Sequence, residues 1–168
     1  MADKPIYLVS GVPTERELIT SSAGAGDAGK GIGLDAAGKL HTSFMPTGIA
    51  ADTASIVSSE NLASGDFVNI WDDSGTPKAR KADATTAGKE AHGFVLAAVT
   101  SPAAATVYFE GSNDQVSGAT GGPVYLSTTP GGFTSTPPSS AGNVVQRVGV
   151  ATAAANINVE VGQHYVLA

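Results

Sequence analysis

The chain has no cysteine in its 168 residues. Disulfides, thiolate nucleophiles and cysteine-ligated zinc or iron–sulfur centres are therefore excluded. Basic residues are scarce: nine Lys and Arg stand against fifteen Asp and Glu, for a net charge of −6. A nucleic-acid binder needs clustered Lys and Arg to displace counterions, so no nucleic-acid partner is expected. The densest basic group, Lys78, Arg80, Lys81 and Lys89, reads as the solvated edge of a hairpin. Charged residues of either sign make up only 14% and aromatics 6%, whereas about 25% charged is usual for a soluble domain. A chain so poor in charge and so rich in Gly, Ala, Ser and Thr solvates poorly alone and hides surface in an assembly. No apolar run approaches the length that crosses a bilayer, and Met1-Ala2-Asp3-Lys4-Pro5 is too polar for a signal peptide. Neither a membrane partner nor export through a signal sequence is expected.

What the chain does hold is glycine, 21 residues of it, in a spacing that occurs twice. Gly65, Gly75 and Gly93 are separated by 10 and 18 residues, and so are Gly121, Gly131 and Gly149. Ser64-Gly65-Asp66-Phe67-Val68-Asn69-Ile70 lies over Thr120-Gly121-Gly122-Pro123-Val124-Tyr125-Leu126, and Val107-Tyr108-Phe109-Glu110 lies over Ile157-Asn158-Val159-Glu160 after a deletion of about six residues. In so glycine-rich a chain coincidence competes with duplication. A duplication divides the body into half-repeats 58–112 and 113–162. Gly75 and Gly131 fall in turns, and Gly65 and Gly121 at strand starts. Gly93 and Gly149 fall inside strands, where a bulge or close packing is expected.

Residues 1–57 differ from the rest. Pro5 to Val9 reads as a short extended piece. Thr14-Glu15-Arg16-Glu17 has the form of a capping box and predicts at most one helical turn. Glycines from Gly24 to Gly38 then lower the gain from any regular element. This glycine-rich arm has little core of its own and is expected to order along another subunit or a partner. From about Ile56 the signals are β: strands at Phe67–Trp71, His92–Val99, Thr106–Glu110, Val124–Ser127, Val144–Ala151, Ile157–Val161 and His164–Leu167, with turns at Asp72–Gly75 and Thr129–Gly132. The expected fold is all-β: a compact β-sandwich, jelly-roll or barrel spanning 58–168, with an extended irregular N-terminal arm over 1–57.

Motifs that carry chemistry fail on their context. Gly24-Ala25-Gly26-Asp27-Ala28-Gly29 matches G-x-G-x-x-G, and Gly24 to Lys30 matches G-x-x-x-x-G-K. Both need a buried strand before and a helix after. Here the preceding segment is short and polar, Lys30-Gly31-Ile32-Gly33 breaks any helix, and Gly31 stands where a magnesium-binding hydroxyl is required. His41, His92 and His164 lie too far apart in the chain to form a metal-ligand motif. Asp72-Asp73 is explained by its turn. Glu110 and Glu160 occupy equivalent repeat positions and could meet as an acid–base pair, although strand-end residues facing water are the simpler reading. No G-x-S-x-G elbow exists. No catalytic residue, metal ligand, cofactor or enzymatic activity is assigned.

The stretch Asp27-Ala28-Gly29-Lys30-Gly31-Ile32-Gly33-Leu34-Asp35-Ala36-Ala37-Gly38-Lys39-Leu40-His41-Thr42-Ser43-Phe44-Met45-Pro46 resembles a pattern of tailed-bacteriophage virion proteins. That pattern reads roughly D-A-G-K-[apolar]-x-x-[LT]-[DN]-x-x-G-K-[LI]-D-x-[ST]-[apolar]-[LM]-P; the chain departs from it at His41 and at Gly31-Ile32-Gly33. Gly121-Gly122-Pro123-Val124-Tyr125-Leu126-Ser127, Pro130-Gly131-Gly132-Phe133-Thr134 and the run from Pro137-Pro138 to Val144–Ala151 are similar to phage head decoration and head-fibre proteins. The matches cover less than half of the chain. The resemblance implies a capsid decoration, or cement, protein: an all-β homodimer or homotrimer, assembled in the host cytoplasm. It would sit on the outer capsid surface and staple neighbouring major capsid subunits. The arm's apolar residues, Ile6, Tyr7, Leu8, Leu18, Ile19, Ile32, Leu34, Leu40, Phe44 and Met45, are the expected contacts with capsid or subunit. The alternative is a head- or tail-fibre segment that binds a host-surface receptor.

Overall fold

Successive side chains of a strand point to opposite faces, and several strands here are apolar on both. Phe67-Val68, Phe94-Val95 and Val107-Tyr108 are such pairs. In the computed structural model, which describes residues 4–45 and 52–168, each pair is divided between two hydrophobic cores. Pro46 and the rest of the stretch 46–51, which the arm was expected to include, lie outside the described residues. The chain forms two units, Met1–Ala50 and Ala51–Ala168.

Among its described residues the N-terminal unit holds one hairpin, β1 (Ile6–Val9) and β2 (Val12–Glu15), and two three-residue 3-10 helices, Ala25–Asp27 and Thr42–Phe44. The helical turn expected at Thr14–Glu17 is absent: Thr14 and Glu15 lie in β2. Ser10 and Gly11, with φ of 51° and 83°, form a two-residue turn of the kind that matches strand twist, and this turn dictates strand on both sides. No described residue of this unit is buried.

The second unit is all-β. Strands β3 (Thr53–Ser58), β4 (Phe67–Asp73), β5 (Thr76–Lys81), β6 (Gly93–Phe94) and β7 (Ala104–Tyr108) close into a barrel in the order β3-β5-β4-β6-β7. Then β8 (Glu110–Asn113), β9 (Gly122–Leu126), β10 (Phe133–Thr134), β11 (Val144–Ala153) and β12 (Asn156–Glu160) form a sheet in the order β10-β9-β11-β12-β8, with β13 (His164–Val166) paired to β11. No α-helix occurs among the described residues. Read from β5, the barrel runs β5-β4-β6-β7-β3, the same path as β10-β9-β11-β12-β8.

Register makes the duplication specific. Val68 faces Gly93, and Val124 faces Gly149. Phe94 faces Tyr108, and Val150 faces Asn158. A Cβ placed on Gly93 would overlap the Tyr108 carbonyl oxygen and stand 3.0 Å from Val107 Cγ1. One on Gly149 would overlap the Asn158 carbonyl oxygen and stand 3.0 Å from Ile157 Cγ2. Both glycines thus serve the same close strand crossing. Because β3 and β8 open their repeats, the units run from Thr53 and from Glu110. The division drawn on the sequence at 58 and 113 cuts these strands off, and the arm ends before Thr53.

The copies differ in closure. β5 has six residues and pairs in parallel with β3 through Val57↔Lys78 and Ser58↔Ala79. Its counterpart β10 has two, is followed by Pro137-Pro138, and does not reach β8. Val68, Val95 and Val107 fill the core of the closed barrel. Their equivalents Val124, Ala151 and Ile157 face an open sheet. That sheet is instead filled by the barrel's outer residues Phe67, Phe94 and Tyr108. Phe94 and Tyr108 stack at 5.5 Å between ring centroids. The two repeats therefore form one body.

Two local expectations change. The strand expected over His92–Val99 is confined to Gly93–Phe94, with an isolated bridge from Leu62 to Val99. The basic group is no solvated edge: β5 lies between β3 and β4. Lys78 pairs with Asp73 (2.5 Å), Lys81 with Asp66 (3.2 Å) and Lys89 with Asp83 (3.1 Å). Arg80 donates to Asn69 Oδ1 (2.9 Å) and lies over Trp71.

Candidate functional site

The N-terminal unit is held by short-range polar contacts and leaves its apolar residues outside. Asp27 accepts a hydrogen bond from the Ala23 amide (2.6 Å) and pairs with Lys30 (2.5 Å). The Lys30 contact and the Ala23 bond hold the Asp27 carboxyl below its ordinary range. Asp35 accepts from the Ala37 and Lys39 amides (2.9 and 2.8 Å). Ile19 bridges to Ile32, and Gly31 admits Tyr7 and Leu18 side chains where a Cβ would collide. The glycine-rich segment is thus a set of Asp-held turns. Lys30, the residue a phosphate loop would use, is committed to Asp27.

Of the ten apolar residues expected to make contacts, eight are exposed: Ile6, Tyr7, Leu8, Leu18, Ile32, Leu34, Leu40 and Met45. Ile19 and Phe44 are half-buried. Val9 and Val12 are also exposed; sequence reasoning missed them, although their position flanking a Ser-Gly turn was the available signal. None of the described residues of this unit is buried, so these apolar side chains lie on its surface.

Two of the clefts on the body carry polar groups. One, of about 530 Å³, is lined by Ile70, His92, Phe109, Glu110, Glu160 and Val161. Glu110 and Glu160, equivalent in the sequence repeat, do meet: they face each other across β8 and β12. Both are exposed to water, and no nucleophile stands between them. His92 Nδ1 accepts a hydrogen bond from the Ile70 amide (2.9 Å). The other cleft, of about 430 Å³, is lined by hydroxyls of Ser117, Thr120, Ser127, Thr129 and Thr134 beside Phe133, with no charged group.

The remaining polar residues are structural. His41 caps the second 3-10 helix by accepting the Ser43 amide, and His164 lies 3.4 Å from Glu90. Asp72 accepts from the Gly75 amide in the turn. Burial raises the pKa of the Asp83 carboxyl, but bonds from the Thr85 hydroxyl and amide and from Lys89 outweigh it and hold the group below its ordinary value. Burial also raises the pKa of Glu90, but bonds from the Gly88 amide and its own amide, with His164 alongside, outweigh it and hold the carboxyl low. Among the described residues no group of three or more His, Asp or Glu is placed to hold a metal ion.

No family model matches the chain, and no curated protein or solved structure is similar to it.

Proposed function

We propose that this is a structural virion protein that binds the outer surface of a tailed-phage capsid as a homo-oligomer and staples neighbouring major capsid subunits. The observation that carries the reading is the N-terminal unit. It exposes eight of the ten apolar residues named above and buries none of its described residues, while the body has two filled cores. A body with complete cores and a unit without one suit a division of labour: one part is rigid, the other gains order and energy by contact. Many such contacts around a shell would add by multivalency. No enzymatic step is assigned, since neither body cleft joins a nucleophile to a base. The competing reading, a fibre segment that binds a host receptor, draws on the hydroxyl-lined cleft beside Phe133.

The test is co-sedimentation of the full chain with expanded empty phage capsids that lack a surface protein. Saturable, stoichiometric pelleting with shells is expected, and Leu34→Asp with Leu40→Asp is expected to abolish it. Binding to host cells without binding to shells would replace this reading with the fibre one.

A further inference from the structure

Strand β1 has an unguarded edge. Arg16 N donates to Pro5 O (3.1 Å), which makes Pro5 and Arg16 a hydrogen-bonded pair of the hairpin. Bonded and non-bonded pairs alternate along an antiparallel ladder. With Ile6 opposite Glu15, Tyr7 opposite Thr14, Leu8 opposite Pro13 and Val9 opposite Val12, the bonded pairs are Tyr7–Thr14 and Val9–Val12. Ile6 and Leu8 therefore turn their N–H and C=O groups away from β2. Among the described residues these four groups meet no backbone partner. The same two residues have the most exposed large apolar side chains, at 69% and 74%. Proteins guard free edges with charge, proline or bulges. β2 has Pro13 and Glu15; β1 reads Ile-Tyr-Leu-Val and has neither charge nor proline.

We propose that β1 pairs antiparallel with β1 of a second copy about a two-fold axis at Tyr7, joining two hairpins into one four-stranded sheet. Ile6 then faces Leu8 of the partner subunit, and Leu8 faces the partner's Ile6. Each facing pair exchanges two hydrogen bonds, so every outward group of both strands is used. A copy of β1 fits this edge because its outward groups have the same two-residue spacing, as an isologous contact requires. The Ile6 and Leu8 side chains of both copies make one apolar stripe on one face. Lys4 falls opposite Ser10 of the partner subunit, so no like charges meet. Charge does not oppose the unit as the contact: Lys4, Arg16, Lys30 and Lys39 stand against Asp3, Glu15, Glu17, Asp27 and Asp35, so it carries only −1 of the chain's net charge of −6. A lone two-stranded hairpin is marginal in water, whereas more strands with an apolar face are not.

The inference rests on the homo-oligomer part of the proposed function and names its contact. Sedimentation of the full chain is combined with residue-resolved amide exchange. A dimer is expected, with Leu8 exchanging about tenfold more slowly than in Ile6→Pro. That variant removes an outward N–H, leaves the bonds to β2 in place, and is expected to sediment as a monomer. Leu8→Lys, which keeps every N–H, is expected to weaken the dimer at least about tenfold by bringing two ammonium groups together. A wild-type chain that is monomeric at every concentration overturns both this contact and the homo-oligomer reading. A wild-type oligomer in which Ile6 and Leu8 exchange freely, and which survives Ile6→Pro, overturns the β1 contact alone.

Discussion

Replacing Gly149 by alanine puts one methyl group into the tightest strand crossing of the second repeat. That methyl would overlap the Asn158 carbonyl oxygen and lie 3.0 Å from Ile157 Cγ2 and 3.1 Å from Asn158 C. Two of the three nearest atoms are backbone in the β11–β12 ladder, so relief requires the strands to move apart where Gly149 faces Val159. Overpacking of this kind costs about 1–3 kcal/mol. At about 2–4 °C per kcal/mol for a chain of this size, the melting midpoint should fall by roughly 2–12 °C. Gly93→Ala meets Tyr108 and Val107 in the same geometry and should fall by a similar amount. Gly121→Ala is the control: no atom lies within 4 Å of its Cβ and its φ is not positive, so the midpoint should hold or rise slightly. Differential scanning calorimetry of the three variants reads this out. Melting of Gly93→Ala and Gly149→Ala at the wild-type midpoint would refute the close-crossing argument; a drop in one alone would refute the equivalence of the repeats.

Gln146→Ala strips the partners from Ala91 N and O and from Gly162 O, which the buried amide now holds at 2.8, 3.0 and 3.2 Å. The expected cost is about 2–4 kcal/mol, seen in urea as a lower midpoint with an unchanged slope. Phe94→Ala empties the layer between barrel and sheet and should cost about 3–5 kcal/mol by the same assay. Asp83 and Glu90 have carboxyls held below their ordinary values in the folded chain, so unfolding takes up protons in acid. Their stabilisation is fully present above the ordinary carboxylate range of about 4 and is lost as pH falls through the lower folded values. The melting midpoint should therefore be flat from neutrality to about pH 5 and drop below about pH 4, with a shallower acid limb in Asp83→Asn.

The legible part of this fold was the part set by backbone demands at single residues. Gly93 and Gly149 could be read from spacing because a side chain at either place collides with the neighbouring strand whatever the rest of the chain does. The turn at Gly75 and the strand cores around Val68, Val107, Val124 and Ile157 were legible for the same local reasons. Thr14–Glu17 was misread because a capping box and a strand end can share the same residues. The Ser10-Gly11 turn before it decided between them. The basic group was misread because charge alone does not say whether a strand has one neighbour or two. β5 is enclosed between β3 and β4 with Lys78 and Lys81 in ion pairs, and Lys89 pairs with Asp83 in the loop beyond it. The equivalence of Glu110 and Glu160 and their exposure to water were legible, while their facing was decided by the β8–β12 register.

By itself the sequence determined that the body is β-built, marked the glycine spacing that a repeat would share, and left its first residues without the means to bury a core. Tertiary structure alone decided that one copy closes and the other does not. Closure depends on whether β5 and β10 reach β3 and β8, a distance set by strand length and by Pro137-Pro138 and not by any hydrophobic pattern. That difference makes the outer face of the first repeat the core of the second, because an open apolar sheet must be covered and Phe67, Phe94 and Tyr108 are the side chains placed to cover it.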